Sequence, residues 1–223
     1  MAAPCVVVDF FYEDSMPDTN FVLFLATSLV LIITPGQDMI LIMSRSIAQG
    51  SRAGIATAGG VSAGLLGHTV LAAFGLGAIL RTSDILYTVI KIIGALYLLY
   101  LGLKFIKTKP GEILLNNVSL SSMRTLFFQG MFSNLSNPKI AIFYFAFLPQ
   151  FISAETANPT MMLLILGGVF SLMTFFIKAP IGYFAGSFSK WLRSRPFVQI
   201  WINRISGGVL IVLGIKLAFE KRT

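Results

Sequence analysis

The run Phe21–Met43, FVLFLATSLVLIITPGQDMILIM, decides the fold class. It is apolar over a length that suits a helix crossing a hydrocarbon core of about 30 Å. Yet Thr34-Pro35-Gly36-Gln37-Asp38 places a helix breaker and a charge in its interior. Hydrocarbon offers no water to the backbone groups a proline frees, and a charge there is expensive. Such a sequence persists where the broken backbone lines a polar cavity.

Working outward, five further apolar stretches can be read: Ala53–Leu80, Ile85–Ile106, Thr125–Ile152, Met161–Phe188 and Ile200–Phe219. Each is long enough for a transmembrane helix. Gln49-Gly50-Ser51, Thr82-Ser83-Asp84, Lys109-Pro110-Gly111, Asn158-Pro159 and Ser194-Arg195-Pro196 punctuate them. The fold class expected is therefore an all-α integral membrane protein of six transmembrane helices. Residues 16–223 are expected to form the six-span domain, and residues 1–15 an N-terminal extension outside the bundle. Met16 is a second candidate start.

Composition agrees. The chain has 223 residues, 56% hydrophobic and 12% charged, with a mean hydropathy of +0.82. Soluble domains carry about twice that charged fraction. The net charge of +8 is not a nucleic-acid stripe, because most basic residues sit in short loops between apolar runs. Ten of them fall in the first, third and fifth loops, against Arg81 in the second and Lys221 and Arg222 in the tail. The positive-inside rule then puts both termini outside. Cys5 alone and His68 alone exclude a disulfide, a thiolate zinc site and a His-rich cluster. No metal and no cofactor are expected.

The two halves echo one another. Leu98, Leu101, Gly102 and Lys104 recur as Leu210, Leu213, Gly214 and Lys216 at one offset of 112 residues. Gly59-Gly60-Val61 recurs as Gly167-Gly168-Val169, and Pro35 answers Pro138. A three-span unit duplicated in tandem must enter from opposite faces, so the expectation is two inverted three-helix repeats with Pro-broken first and fourth helices.

The breaks carry the chemistry. Thr34 suits a helix N-cap, Pro35 a first helical position, and Gln37 completes a Thr-x-x-Gln capping box. Asn137-Pro138 repeats the logic with Asn as cap. Pro35 and Pro138 each lie about 20 Å from the face where their span starts, and so near the middle. Two half-helix N-termini there would favour a carboxylate, and Lys139 adds a full positive charge. Asp38 offers the opposite sign, to hold an ammonium or take a proton. The candidate substrate site is therefore Thr34, Pro35, Gly36, Gln37, Asp38, Asn134, Asn137, Pro138 and Lys139, with Asp38 and His68 as proton-coupling candidates. Alternatively, Asp38 and Lys139 neutralise each other as a packing pair. His68 reads equally as a packing histidine bonded to a neighbouring carbonyl. Gly60 and Gly64, four residues apart, suit close helix contact. Lys178, before Pro180, is expected to snorkel to the interface.

Thr34-Pro35-Gly36 with a polar or acidic residue close behind, the run Gly94–Gly102 (GALYLLYLG), and Asn137-Pro138-Lys139 ahead of Phe147-Leu148-Pro149-Gln150-Phe151 resemble the LysE/RhtB-type amino-acid exporters. The resemblance runs from about Met16 to the C-terminus, with Gln37 where the family usually has a second proline. It implies export of amino acids such as lysine, homoserine, threonine or leucine across a bacterial inner membrane, coupled to protons. The partners expected are an amino-acid substrate, protons and the lipid bilayer, with no nucleic acid; a homo-oligomer stays open. The alternatives are an exporter of another small metabolite or a metal ion, or a non-transporting membrane subunit. A membrane enzyme lacks its groups here: no second histidine exists, and Asp38 is the one acid inside a span.

Overall fold

The computed structural model describes residues 18–82, 84–107, 120–152, 156, 158–185, 187, 191 and 194–219. Residues 1–15, the Lys109-Pro110-Gly111 joint and the C-terminal basic pair lie outside them. The described residues are helical, with no strand among them. In order, the helices are α1 (Asp18–Ile33), α2 (Gln37–Gln49), α3 (Ser51–Thr82), α4 (Asp84–Lys107), α5 (Met123–Leu135), α6 (Pro138–Ile142), α7 (Pro159–Tyr183) and α8 (Pro196–Phe219). A π-turn (Phe143–Phe147) and a 3-10 turn (Leu148–Phe151) continue α6. Four stretches are long and apolar enough to cross a membrane: Ser51–Gly75, Thr88–Lys107, Pro159–Tyr183 and Ile200–Phe219. The pair Phe21–Ile33 and Gln37–Gln49, bent by 51°, makes a fifth if it is one span.

The helix ends follow from their residues. Ser122 caps α5 by accepting from the Thr125 amide at 3.1 Å, and Asn158 caps α7 through the Met161 amide at 3.2 Å with Pro159 behind it. Gly50 ends α2 at φ +91°, a left-handed conformation that glycine adopts without a Cβ clash. That turn lets α3 start one residue later.

Small residues bring α3 against its neighbours. A Cβ on Gly60 would fall on the Phe127 carbonyl, one on Gly130 on the Thr57 carbonyl, and one on Gly64 within 2.8 Å of the Met131 carbonyl. Backbone therefore meets backbone, as the spacing of the glycines suggested. Gly60, Gly64 and Gly67 meet Phe127, Met131 and Leu135 in ascending order, so α3 and α5 run parallel. Gly54 meets Gly182 while Gly167 meets Thr69, so α3 and α7 run antiparallel. The α4–α8 seam is antiparallel too: Gly102 packs on Gly207, and Gly214 on Ala95. Large apolar side chains such as Val22, Phe74, Phe176 and Phe219 cover the outside, whereas Asp38, Asn134, His68 and Lys178 are inside. That distribution suits a bilayer, where buried polar groups must find one another.

Candidate functional site

The site begins where α1 stops. Thr34 turns its hydroxyl back onto the Val30 carbonyl at 2.6 Å, which its own amide also reaches at 3.0 Å. Pro35 has no N–H to give, so the carbonyl of Leu31 has no amide at the next rung. Lys139 Nζ, from α6, donates to that carbonyl at 3.3 Å and lies 5.7 Å above the Phe105 ring. The ammonium at one break thus supplies the donor that the proline at the other withholds.

The cap at α2 differs from the sequence expectation. Gly36, in extended backbone, is the N-cap residue, and no side chain closes the helix start. Thr34 is spent on the helix before it, and Gln37 reaches across to donate to the Ser133 carbonyl at 2.7 Å. The capping box therefore does not form, because both of its side chains find carbonyls outside α2. Asn137 does cap: its side chain accepts from the Lys139 amide at 3.1 Å, with Pro138 in the first turn of α6.

Asp38 occupies the first turn of α2, 3% exposed. Its Oδ2 accepts from Asn134 Nδ2 at 2.9 Å and from Lys178 Nζ at 3.5 Å. The ion pair is thus with Lys178 rather than with Lys139. Lys178 does not snorkel; it is 7% exposed, on the α7 face turned toward α2. Asp38 Oδ1 and Asn134 Oδ1 are buried with no hydrogen-bond donor among the described residues. His68 Nε2 lies 3.2 Å from the Asn134 carbonyl, which can only accept, so that nitrogen carries the proton. The His68 ring stacks on Tyr144 at 5.6 Å, and Nδ1 has no described partner.

A narrow polar cavity joins these groups. Thr34, Gly36, Asp38, Asn134, Asn137 and Lys139 line it, together with Lys178 and an apolar wall that includes Leu31, Leu65 and Phe170. Pro35, Gln37, Pro138 and His68 stand behind that lining or beside it. The cavity measures about 10 Å³, the scale of a single water.

The sequence reading missed Lys178. Its partner lies 140 residues away, across the bundle. A signal was nonetheless present: a lysine inside an apolar run has to neutralise somewhere, and Asp38 is the acid at similar depth.

Buried charges in an apolar bundle mark a functional site, and discontinuous helices are where transporters place their substrate sites. The family model of LysE type translocators matches residues 29–221. The chain belongs to this family. LysE type translocators are transporters, not enzymes. Among this translocator's relatives, the Bacillus subtilis membrane protein YrhP is 32% identical over 202 residues, 86% of this chain and 95% of that one. A homoserine/homoserine lactone efflux protein of Salmonella typhimurium is 31% identical over 196 residues, 87% and 94% of the two chains. A leucine efflux protein of Klebsiella pneumoniae is 26% identical over 204 residues, 89% and 94%. No solved structure matches this translocator.

Proposed function

We propose that this translocator exports an amino acid or a close derivative from the cytoplasm by proton antiport, through a site where the two helix breaks meet. One observation carries the reading: a polar cavity lined by Asp38, Asn134, Lys139 and Lys178 inside an apolar helical bundle. A zwitterion needs a cation and an acceptor about one α-carbon apart, and Lys139 and Asp38 line the same cavity. The relatives named for homoserine and leucine efflux support the substrate class. Thr34, Pro35, Gly36 and Gln37 shape the first half of the site, and Asn134, Asn137 and Pro138 the second. Asp38 is the proton carrier, and His68 reaches it through Asn134.

The architecture that fits is six alternating passes as two inverted repeats in a bacterial inner membrane, with both termini outside. Several contacts favour it. The parallel α3–α5 seam and the antiparallel α3–α7 and α4–α8 seams have the directions six alternating passes require. At the offset of 112 residues, Ala95 corresponds to Gly207 and Gly102 to Gly214. The contacts Gly102–Gly207 and Ala95–Gly214 then exchange with each other under a two-fold axis. Residues 1–15 serve as an extension that transport does not need.

The test uses inside-out membrane vesicles from cells overproducing the protein, energised so that their lumen is acidic. Radiolabelled homoserine and leucine should accumulate, and collapsing the proton gradient should release them. Uptake of every amino acid tried at the level of vesicles lacking the protein would defeat the proposal.

A further inference from the structure

We propose that Lys178 makes the site selective for amino acids whose side chain bears no positive charge. The inference rests on the exporter reading above and names a residue for specificity.

The cavity lining holds two ammonium groups, Lys139 and Lys178, and one carboxylate, Asp38. Lys139 gives its ammonium to a neutral carbonyl, Leu31, and is the cation a substrate carboxylate can recruit. Among the described residues that line the cavity, Asp38 Oδ1 and Asn134 Oδ1 are buried acceptors without a donor, and they suit the α-ammonium. Asp38 Oδ2 is already taken, by Lys178 and by the Asn134 amide. A zwitterion with a neutral side chain therefore uses every open group and leaves the local charge unchanged.

A lysine or arginine substrate brings one more cation. Among the described residues no second acid lines the cavity to receive it, and Lys178 repels it. Two ammonium groups about 6 Å apart, at an effective dielectric near 20, weaken binding roughly a hundredfold. Lys178 thus occupies the place a substrate's own side-chain ammonium would need. Specificity here comes from a built-in repulsive element as much as from attraction.

The test compares L-lysine with L-norleucine, which matches its chain length without the charge, using the purified full chain in proteoliposomes. Norleucine should be exported at least tenfold faster. Lys178→Arg, which keeps the charge, should keep this preference. Lys178→Met should raise the lysine-to-norleucine ratio at least tenfold, because the substrate's ammonium can then replace the missing one beside Asp38. The ratio is taken within one preparation, so a smaller folded fraction cancels. Equal export of both by the unaltered protein, or a ratio unmoved in Lys178→Met, overturns the inference. Loss of the preference in Lys178→Arg does so as well. Export of neither solute by proteoliposomes that do export homoserine or leucine overturns this inference alone, and export of no amino acid at all overturns the exporter reading.

Discussion

Asp38→Asn and Lys178→Met, singly and together, test the buried pair most directly. The two groups meet at 3.5 Å, with Asp38 3% and Lys178 7% exposed. Removing one partner leaves an uncompensated buried charge, which costs about 3–5 kcal/mol. At roughly 2–4 °C per kcal/mol for a chain of this length, each single variant should melt about 10 °C lower. The double variant keeps neither charge, so its stability should return to within about 2 kcal/mol of the parent. Its export should still be nil, since Asp38 is gone. Lys139→Met combined with Asp38→Asn should show no such rescue, because Lys139 bonds the Leu31 carbonyl rather than Asp38. The assay is thermal unfolding of detergent-purified protein beside efflux from the same preparation. Additive losses in Asp38→Asn/Lys178→Met would refute the pairing. A stable double variant that still exports would show that neither charge serves transport.

Three further outcomes are expected. Pro35→Ala gives residue 35 an N–H that competes with Lys139 for the Leu31 carbonyl, so the protein should fold at least as stably while export falls at least tenfold; unchanged efflux would demote the break to a kink. Gly60→Val pushes against the Phe127 carbonyl and should cost about 1–3 kcal/mol while displacing Asn134 further along α5, read as a lower melting point with weaker export; a variant that melts and exports like the parent would contradict the α3–α5 seam. A reporter active only in the cytoplasm, fused after Thr223, should stay silent, and a fully active fusion would reverse the proposed orientation.

Much of the scaffold could be read from local pattern. The apolar, all-helical character, the Asn137 cap and the Gly60–Gly64 contact all depend on residues within a few positions of each other. His68 was left between two roles, and its bond to the Asn134 carbonyl matches the packing one without removing it from the neighbourhood of Asp38. What local pattern could not supply was the choice of partner. Asp38 had two lysines at comparable depth, and only the packing of α7 against α2 and α3 selects Lys178 over Lys139. The capping box failed for a related reason. Thr34 and Gln37 had the right spacing, but tertiary structure offered Gln37 the Ser133 carbonyl, and Thr34 turned back onto Val30.

The bond from Lys139 to the Leu31 carbonyl has a consequence for the transport cycle. In the proposed export cycle it would act as an interlock between the two helix breaks. When a substrate carboxylate draws the ammonium away, the Leu31 carbonyl is left without a donor, at a cost of about 1–3 kcal/mol. On that proposal the loaded carrier would be strained at the very joint where α1 meets α2, and the empty carrier clasped there. Cargo itself would release the clasp, and an unladen protein would rest closed instead of cycling idly and leaking protons.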